Sequence, residues 1–491
     1  MTAPHFLQAY FCGQWQHGSG PVYETRYPHD GSTTAQLQAC TIGDVDSAVR
    51  YAELARCKPN WVKLKPHERA AILLRIASLI REQSETLAQL QRLDNGKPIN
   101  ETRALVASAA STFQYFAAAC ETLEDAITPS RGDFISLSMH EPLGVVAAIT
   151  PWNSPIASEA QKIAPALAAG CAIIVKPAEI TPRMAIELAK IALQAGLPEG
   201  ILSVLPGKGS IIGEALVKHP LIKRIAFTGG TQVGMGIAKL AAEKLMPTSL
   251  ELGGKSPVII CADADLDHAV AGVLFGIFSS SGESCIAGSR CFVHTSIYSE
   301  FKTRLVAAVA KLRIGDPASE QTQMGPLVSP AHRNSVARYV QMGLNEGGIL
   351  LCGGVAPKGD VYDKGSYFAP TIFEGLTNSA QLCQEEVFGP VLVLLPWNDE
   401  IDLIAQCNDN VYGLASGIWT KDYKKALALG AALQTGTVWV NTYKVFSIST
   451  PFGGVKMSGT GREKGRLSIW EYTQQKSYYL GLNENPLGWS K

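Results

Sequence analysis

Three short strand-like segments separated by helical stretches constrain this chain more than any other feature of its sequence. They are Val145–Ile149, Ala172–Val175 and Ile222–Phe227. Strands this apolar, joined by crossover helices, belong in a parallel sheet that is covered on both faces. Each segment ends in polar or glycine-rich residues, and open α/β sheets bind ligands at the carboxyl ends of their strands. The sequence therefore predicts an α/β fold with a ligand site along one sheet edge.

Further elements are predicted on both sides of these strands. Residues 44–125 are expected to be mostly helical, and apolar residues recur every three or four positions over Ala70–Leu90, as in one amphipathic helix. A second alternation of strands and helices runs from Thr248 to Val440. Two segments, 134–139 and 475–480, alternate without helix signals, so they predict a small separate sheet whose exposed edge would pair with another subunit.

Composition limits the classes of function. A chain of 491 residues is long enough for two or three domains. Lys plus Arg equals Asp plus Glu, at 43 each, so no basic surplus points to nucleic acid or to a membrane surface. The 11 cysteines show no paired short spacing, which predicts neither a disulfide framework nor a metal site. No signal peptide or membrane span is apparent, and a soluble, cytoplasmic protein is expected.

Cys285 is the candidate nucleophile among these cysteines. It lies in a stretch rich in Ser and Gly, between Phe278 and Arg290, where substrate could reach a thiol. Cys171 and Cys261 lie in apolar runs and are expected to be buried. Taken alone, Cys285 could equally be a small core residue.

Several polar residues at predicted strand ends suit a dinucleotide. Gly229 and Gly230 precede a helix whose free N–H groups suit a pyrophosphate, although the spacing is not the usual G-x-G-x-x-G. Lys176 and Glu179 suit an adenosine ribose, and a carboxylate there would repel a 2′-phosphate, which favours NAD over NADP. An ordinary turn and a solvated charge pair explain the same residues when each motif stands alone.

Three further motifs carry candidate chemistry. The side-chain amide of Asn153 could hold an oxyanion, and Glu251, before two glycines, could act as a general base. Glu386 could bind a second ribose while Phe388 packs on a flat ring. A turn-forming Asn, a surface Glu and an exposed acid beside a core Phe are the alternatives.

In order along the chain, these motifs resemble those of the NAD(P)-dependent aldehyde dehydrogenase superfamily. The resemblance runs from about Phe11 to Tyr479. Its specificity comes from seven segments at compatible spacing: Thr150–Asn153, Lys176–Glu179, Phe227–Gly230, Glu251–Pro257, Gly282–Cys285, Glu385–Pro390 and Pro451–Gly454.

The resemblance implies an aldehyde-dehydrogenase-like architecture of three parts, with a Rossmann-type cofactor domain. Residues 1–123 and 143–253 would form the NAD-binding domain, 254–457 an α/β catalytic domain, and 124–142 with 470–491 a β-hairpin oligomerisation element. It further implies a homodimer or homotetramer in which the hairpin of one subunit extends a sheet of its neighbour.

It also implies a reaction, the oxidation of an aldehyde to a carboxylic acid. Cys285 would attack the aldehyde carbon while the Asn153 amide and the Cys285 N–H hold the oxyanion. Hydride transfer to the nicotinamide would leave a thioester, which water activated by Glu251 would hydrolyse. Lys162 and Glu463 match positions linked to a proton path in some relatives. The residues implied in binding NAD, with NADP as the alternative cofactor, are Thr150, Trp152, Lys176, Glu179, Gly229, Gly230, Glu386 and Phe388.

The chain departs from the family pattern around the nucleophile, where Ser280 replaces the usual Asn and Glu283 the usual Gln. A carboxylate at Glu283 would disfavour a thiolate if it faced the sulfur. Succinate-semialdehyde-type members carry an Arg where this chain has Gln161. The missing positive charge at Gln161 and the added carboxyl of Glu283 both argue against an anionic substrate. Lys444, a cation, argues for one.

Phe446 and Phe452 would line an apolar tunnel, which favours an uncharged aliphatic or aromatic aldehyde. The alternatives are a semialdehyde dehydrogenase acting on an anionic substrate, a CoA-acylating relative, a thiol esterase and a non-catalytic scaffold on the same fold.

Overall fold

The computed structural model of the chain describes residues 5–484 and 489. A mixed eight-stranded sheet, called the first sheet, contains the three predicted strands. Its five central strands run parallel, and every residue of Val145–Ile149 and Ala172–Lys176 is buried. The predicted α/β fold class is therefore confirmed. From one edge to the other the strands are Gly459–Thr460, Thr248–Glu251, Ile222–Thr228, Val145–Ile149, Ala172–Lys176, Leu202–Val204, Ala9–Phe11 and Gln14–Gln16.

A second sheet of seven strands follows in the sequence. Six of its strands are parallel, and Ile349–Cys352 pairs antiparallel at one edge. Its strands are Ile349–Cys352, Thr371–Glu374, Val391–Trp397, Arg290–His294, Pro257–Ile260, Ala415–Trp419 and Thr437–Val440.

Helices cover both sheets and fill the amino-terminal region between residues 42 and 121, as predicted. The expected single helix over Ala70–Leu90 is instead two helices, because the chain leaves helical geometry at Gln83. The α-helices are Ile42–Arg56, Pro59–Val62, Pro66–Glu82, Ser84–Asn95, Ile99–Glu121, Pro155–Ala169, Arg183–Gln194, Glu214–Lys218, Thr231–Ala242, Leu266–Phe278, Tyr298–Val309, Pro330–Asn345, Gln381–Gln384, Glu400–Asn408 and Tyr423–Ala432.

The two alternating segments pair as the sequence predicts. Strands Phe134–Pro142 and Thr473–Gly481 form an antiparallel ladder from Phe134 opposite Gly481 to Pro142 opposite Thr473. Ala126–Thr128 adds a third strand on the far side of Phe134–Pro142. Most residues of Thr473–Gly481 are exposed, so this strand leaves a free edge on the subunit.

Smaller strands complete the fold. His5–Leu7, Thr33–Gln38 and Val22–Arg26 form a small sheet, and Tyr412–Gly413 pairs with Val455–Lys456. None of the described helices has the length and apolarity of a membrane span.

The carboxyl-terminal region returns to the first sheet after the second sheet is complete. Gly459–Thr460 pairs antiparallel with Thr248–Glu251, so that Glu251 lies opposite Gly459. The Leu252 N–H donates to the Ser458 carbonyl at 2.9 Å. The end of strand Thr248–Glu251 therefore lies beside residues that follow the second sheet in the sequence.

Candidate active site

One cavity of about 520 Å³ opens at the carboxyl ends of the first sheet's strands. It is lined by all three predicted catalytic residues, Cys285, Glu251 and Asn153. The eight residues predicted to bind the cofactor also line it: Thr150, Trp152, Lys176, Glu179, Gly229, Gly230, Glu386 and Phe388. Segments more than two hundred residues apart thus meet at one sheet edge, as the geometry of parallel strands requires.

The loop that carries Cys285 has unusual backbone geometry. Helix Leu266–Phe278 ends, and the next turn holds Ser280, Ser281 and Gly282 at positive φ of 57°, 54° and 74°. Such φ values are unfavourable for Ser, so neighbouring groups must hold them. Glu101 does so by accepting from the Ser280 N–H at 2.8 Å and from its hydroxyl at 2.7 Å.

The Cys285 thiol is set in an environment that favours its protonated form. Burial, together with the carboxyls of Glu386 and Glu251, raises its pKa to about 12, although Lys444 acts in the opposite direction. A cation beside the sulfur would oppose these effects and favour the thiolate.

Glu251 is buried, with 4% of its surface exposed, and neither of its carboxyl oxygens has a hydrogen-bond partner among the described residues. Burial raises its pKa well above the usual value, and nearby Glu463 raises it further. Two unsatisfied carboxyl oxygens inside a cavity are a position where water or a thiol proton can be bound.

Lys162 and Glu463 lie next to this carboxyl and form a buried ion pair. Lys162 also donates to the Thr228 hydroxyl at 2.6 Å. The two residues linked to a proton path by resemblance are therefore in contact with each other.

The side-chain amide of Asn153 donates to the Glu283 carbonyl at 3.0 Å. An amide nitrogen carries two hydrogens, so this bond orients the group and leaves the second hydrogen for a ligand. Asn153 thereby joins the end of strand Val145–Ile149 to the nucleophile loop.

The Glu283 carboxyl turns away from the sulfur. It is 1% exposed and accepts from the Val328 N–H at 2.8 Å. Burial raises its pKa to about 8, and the buried ammonium of Lys97 partly offsets this. Glu283 is not among the main groups that shift the pKa of Cys285, and its carboxyl is instead engaged by the Val328 N–H.

The inner end of the cavity is shaped for a flat, polar ligand. The Glu386 carboxyl accepts from the Gly254 N–H at 3.0 Å, and burial raises its pKa to about 7. A Cβ on Gly253 would lie 2.2 Å from a Glu386 oxygen, so a larger residue there would displace the Glu386 carboxyl. Phe388, at φ 55°, packs edge-on against Trp152 at 5.2 Å between ring centroids.

The outer end offers groups for a nucleotide. Glu179 accepts from the Gly209 N–H at 3.1 Å, and burial lowers the pKa of Lys176 to about 8. Helix Thr231–Ala242 begins directly after Gly230, where an added Cβ would meet nothing within 4 Å. The backbone is therefore open to a phosphate at a helix N-terminus, and the donor set along the cavity fits a dinucleotide.

The predicted substrate residues lie outside the cavity lining. Gln161 is on helix Pro155–Ala169 and does not line the cavity. Phe446 and Phe452 contact each other edge-to-face at 5.4 Å. Lys464, which the sequence did not single out, places its ammonium 3.6 Å from the Phe446 ring centroid.

Comparisons with known proteins agree with this arrangement. The model of the aldehyde dehydrogenase family matches residues 15–478. A betaine aldehyde dehydrogenase from Brucella melitensis is 41% identical, with 98% of each chain covered. The NAD+ complex of an aldehyde dehydrogenase from Bacillus cereus superposes with a TM-score of 0.95 at 36% identity, covering 98% of this chain and 97% of that one. An NAD-dependent aldehyde dehydrogenase from Sinorhizobium meliloti gives a TM-score of 0.96 at 34% identity, covering 99% and 97%.

Proposed function

The chain belongs to the aldehyde dehydrogenase family and is an NAD-dependent oxidoreductase acting on aldehydes, and we propose that Cys285 is its nucleophile, Asn153 its oxyanion donor and Glu251 its general base. The observation that carries these roles is the convergence of all three side chains on one cavity with the eight candidate cofactor residues. A scaffold protein would have no need to hold an unpaired buried carboxyl beside a thiol.

Each of the three residues has a different role in the proposed reaction. The Cys285 sulfur attacks the aldehyde carbon, its proton passes to Glu251, and the Asn153 amide donates to the developing oxyanion. When bound, NAD supplies a hydride acceptor and a positive charge at its nicotinamide ring. The thiohemiacetal becomes a thioester by losing its hydride, and Glu251 releases the proton it took from Cys285. The Glu251 carboxylate then takes a proton from the water that attacks the thioester and returns it to the Cys285 sulfur as the carboxylic acid leaves. The ion pair of Lys162 and Glu463 gives the proton a route away from Glu251.

Cofactor binding is assigned to both ends of the cavity. Glu386 would accept from the nicotinamide ribose, with Phe388 packing beside the ring. Lys176 and Glu179 would hold the adenosine ribose. Because the Glu179 carboxylate would repel a 2′-phosphate, NAD is proposed as the preferred cofactor over NADP.

The body of the substrate is proposed to be aliphatic or aromatic, held by Phe446 and Phe452. Aromatic faces also bind quaternary ammonium groups, and one relative is named a betaine aldehyde dehydrogenase. In this chain, however, the Lys464 ammonium already lies over both rings. A second cation there would be repelled, so betaine aldehyde is not proposed as the substrate.

The exposed strand Thr473–Gly481 is proposed to form the subunit contact of a homodimer or homotetramer, because an unpaired edge can extend a neighbouring sheet. The division into an NAD-binding domain (1–123 and 143–253), a catalytic domain (254–457) and a hairpin element (124–142 and 470–491) is part of the same proposal. A cytoplasmic location remains a prediction based on composition.

The test is a panel of aldehydes assayed with NAD and with NADP, following the absorbance of the reduced nicotinamide and identifying the product without CoA. Wild type should form the carboxylic acid, and Cys285→Ala should lose this activity. Cys57→Ala is the matched control, since Cys57 is exposed. Retained reduction of NAD by Cys285→Ala would refute the assigned nucleophile, and a product formed only with CoA would indicate the acylating reaction instead.

A further inference from the structure

Lys464 presents a buried positive charge without a partner. Its residue is 6% exposed, and within residues 5–484 its ammonium makes no hydrogen bond and no ion pair. The ammonium instead lies over the rings of Phe446, 3.6 Å from its nitrogen to the centroid, and Phe452, at 5.3 Å. Most of this side chain is enclosed and no anion is bonded to its ammonium among the described residues, so an anion that reaches it would find a cation free to pair.

The position of Lys464 is fixed relative to the reacting groups. The N–H and carbonyl of Glu463 pair with the carbonyl and N–H of Phe452, each at 2.8 Å. Lys464 follows directly, at φ 58°, and both Cys285 and Glu251 lie close enough to influence its pKa. A Cβ on Gly453, which follows Phe452, would lie 2.7 Å from a Glu251 carboxyl oxygen, so the aromatic pair beneath the ammonium lies beside the catalytic carboxyl.

A second lysine, on the loop after strand Thr437–Val440, contacts the turn that leads to the nucleophile. Lys444, at φ 56°, donates to the Ser279 hydroxyl at 2.8 Å, and its charge acts on Cys285. A left-handed backbone at a non-glycine residue is unfavourable and persists only where surrounding structure holds it. The surrounding structure therefore holds the left-handed backbone of both Lys444 and Lys464.

The acidic groups near these lysines are already engaged. Glu463 pairs with Lys162, Glu101 accepts two hydrogen bonds from Ser280, and Glu283 turns toward Val328. The Glu251 carboxyl is assigned to the chemistry. Glu101 acts on the charge of Lys444, and Glu463 and Glu251 act on that of Lys464. Among the described residues, however, no carboxyl forms an ion pair with either lysine.

We propose that Lys464, with Lys444 as a second cation, binds a carboxylate at the far end of the substrate, so that the enzyme oxidises aldehydes that also carry a carboxylate group. This rests on the proposed function and departs from the uncharged substrate expected from the sequence. One ground for that expectation was Glu283, whose carboxyl faces away from the site. The apolar body of such an oxo acid would lie against Phe446 and Phe452.

A first experiment needs neither NAD nor an aldehyde. Iodoacetate and iodoacetamide alkylate the same thiol by displacement of iodide and differ in charge, so the ratio of their rates at Cys285 reports an anion site. Labelling at Cys285 and at the exposed Cys57 is followed by peptide mass spectrometry in the same sample. We expect the iodoacetate-to-iodoacetamide ratio at Cys285 to exceed that at Cys57 by about tenfold, the effect of one charge-assisted contact.

Lys464→Met should lower the ratio at Cys285 toward that at Cys57, whereas Lys464→Arg should retain most of it. Lys424→Met removes one exposed positive charge on helix Tyr423–Ala432 and is the matched control. Equal ratios at both thiols in wild type, or no change on replacing Lys464 by Met, would overturn the proposal. Either outcome would overturn the carboxylate site without contradicting the oxidation of aldehydes by this chain.

A second experiment measures substrate choice. Values of kcat/KM are compared between para-carboxybenzaldehyde and its neutral isostere para-formylbenzamide, in wild type, Lys464→Met and Lys464→Arg. We expect wild type to favour the carboxylate by about tenfold and Lys464→Met to lose that preference. Wild type favouring the amide would overturn the carboxylate site, whereas no oxidation of any aldehyde would contradict the proposed function itself. If Lys464→Arg keeps the preference and Lys464→Met loses it, the loss results from the missing charge and not from misfolding.

Discussion

Replacing Glu283 by Gln removes a titratable group from the interior without changing its shape, and gives this chain the residue usual in its relatives. The structure places the Glu283 pKa at about 8, against an ordinary value of 4.5, because the carboxyl is buried. The folded state therefore holds this proton more tightly than the unfolded state does. Its contribution to stability is complete below about pH 4.5 and is lost as the pH rises through about 8.

The size of the effect follows from the linkage between proton binding and folding. Each pH unit within this interval lowers the free energy of unfolding by about 1.4 kcal/mol, so roughly 2–3 kcal/mol is lost between about pH 5 and pH 7. For 491 residues with an unfolding entropy of about 2 cal/mol/K per residue, this corresponds to roughly 2–3 °C in Tm. Since Gln carries no titrating proton, Glu283→Gln should lack this part of the pH dependence.

The assay is the Tm of wild type and of Glu283→Gln across this pH range, at one scan rate, with the exposed Glu124→Gln as the matched control. Parallel pH profiles for wild type and Glu283→Gln would refute the reasoning. The pH dependence of iodoacetamide labelling at Cys285 should be the same in both proteins, because the Glu283 carboxyl does not face the sulfur. A shifted labelling profile would contradict the placement of that carboxyl.

Three further outcomes follow from the site. Glu251→Gln should slow steady-state turnover by about a hundredfold or more, since thioester hydrolysis loses its base; unchanged turnover in stopped-flow and steady-state assays would contradict the role. Glu179→Gln should raise the ratio of kcat/KM with NADP to that with NAD by about tenfold, because a repulsive charge is removed; an unchanged ratio would count against Glu179 as the ribose contact. The preference for a carboxylate aldehyde should fall as the pH rises through about 8, because burial lowers the pKa of Lys464 and of Lys444 to about 8 and both lose charge above it; a preference that grows over this range would refute the assignment.

The sequence predicted the sheet and the cavity lining well because both depend on short local patterns. Apolar strands and the residues directly after them can be recognised one at a time, and parallel pairing then brings their ends together. The same reasoning assigned one helix to Ala70–Leu90, because periodicity does not reveal that the chain breaks at Gln83.

Such local patterns could not predict contacts between segments that are distant in the sequence. Glu101 holds the backbone of Ser280 from 179 residues away, and nothing in either local sequence indicates this. Lys464 looks like a surface charge in sequence, and only the pairing of Glu463 with Phe452 turns it inward. The direction of the Glu283 side chain was likewise undetermined until its partner Val328 was known.

The antiparallel pairing of Glu251 with Gly459 has a consequence for biosynthesis. During translation the Cys285 loop emerges well before residue 459, so strand Thr248–Glu251 lacks its outer neighbour until Gly459–Thr460 has been synthesised. A ribosome-bound nascent chain therefore carries its thiol in an unfinished pocket. The pocket around the thiol is complete only after Gly459–Thr460 has paired with Thr248–Glu251, which ties the onset of reactivity to the synthesis of that segment.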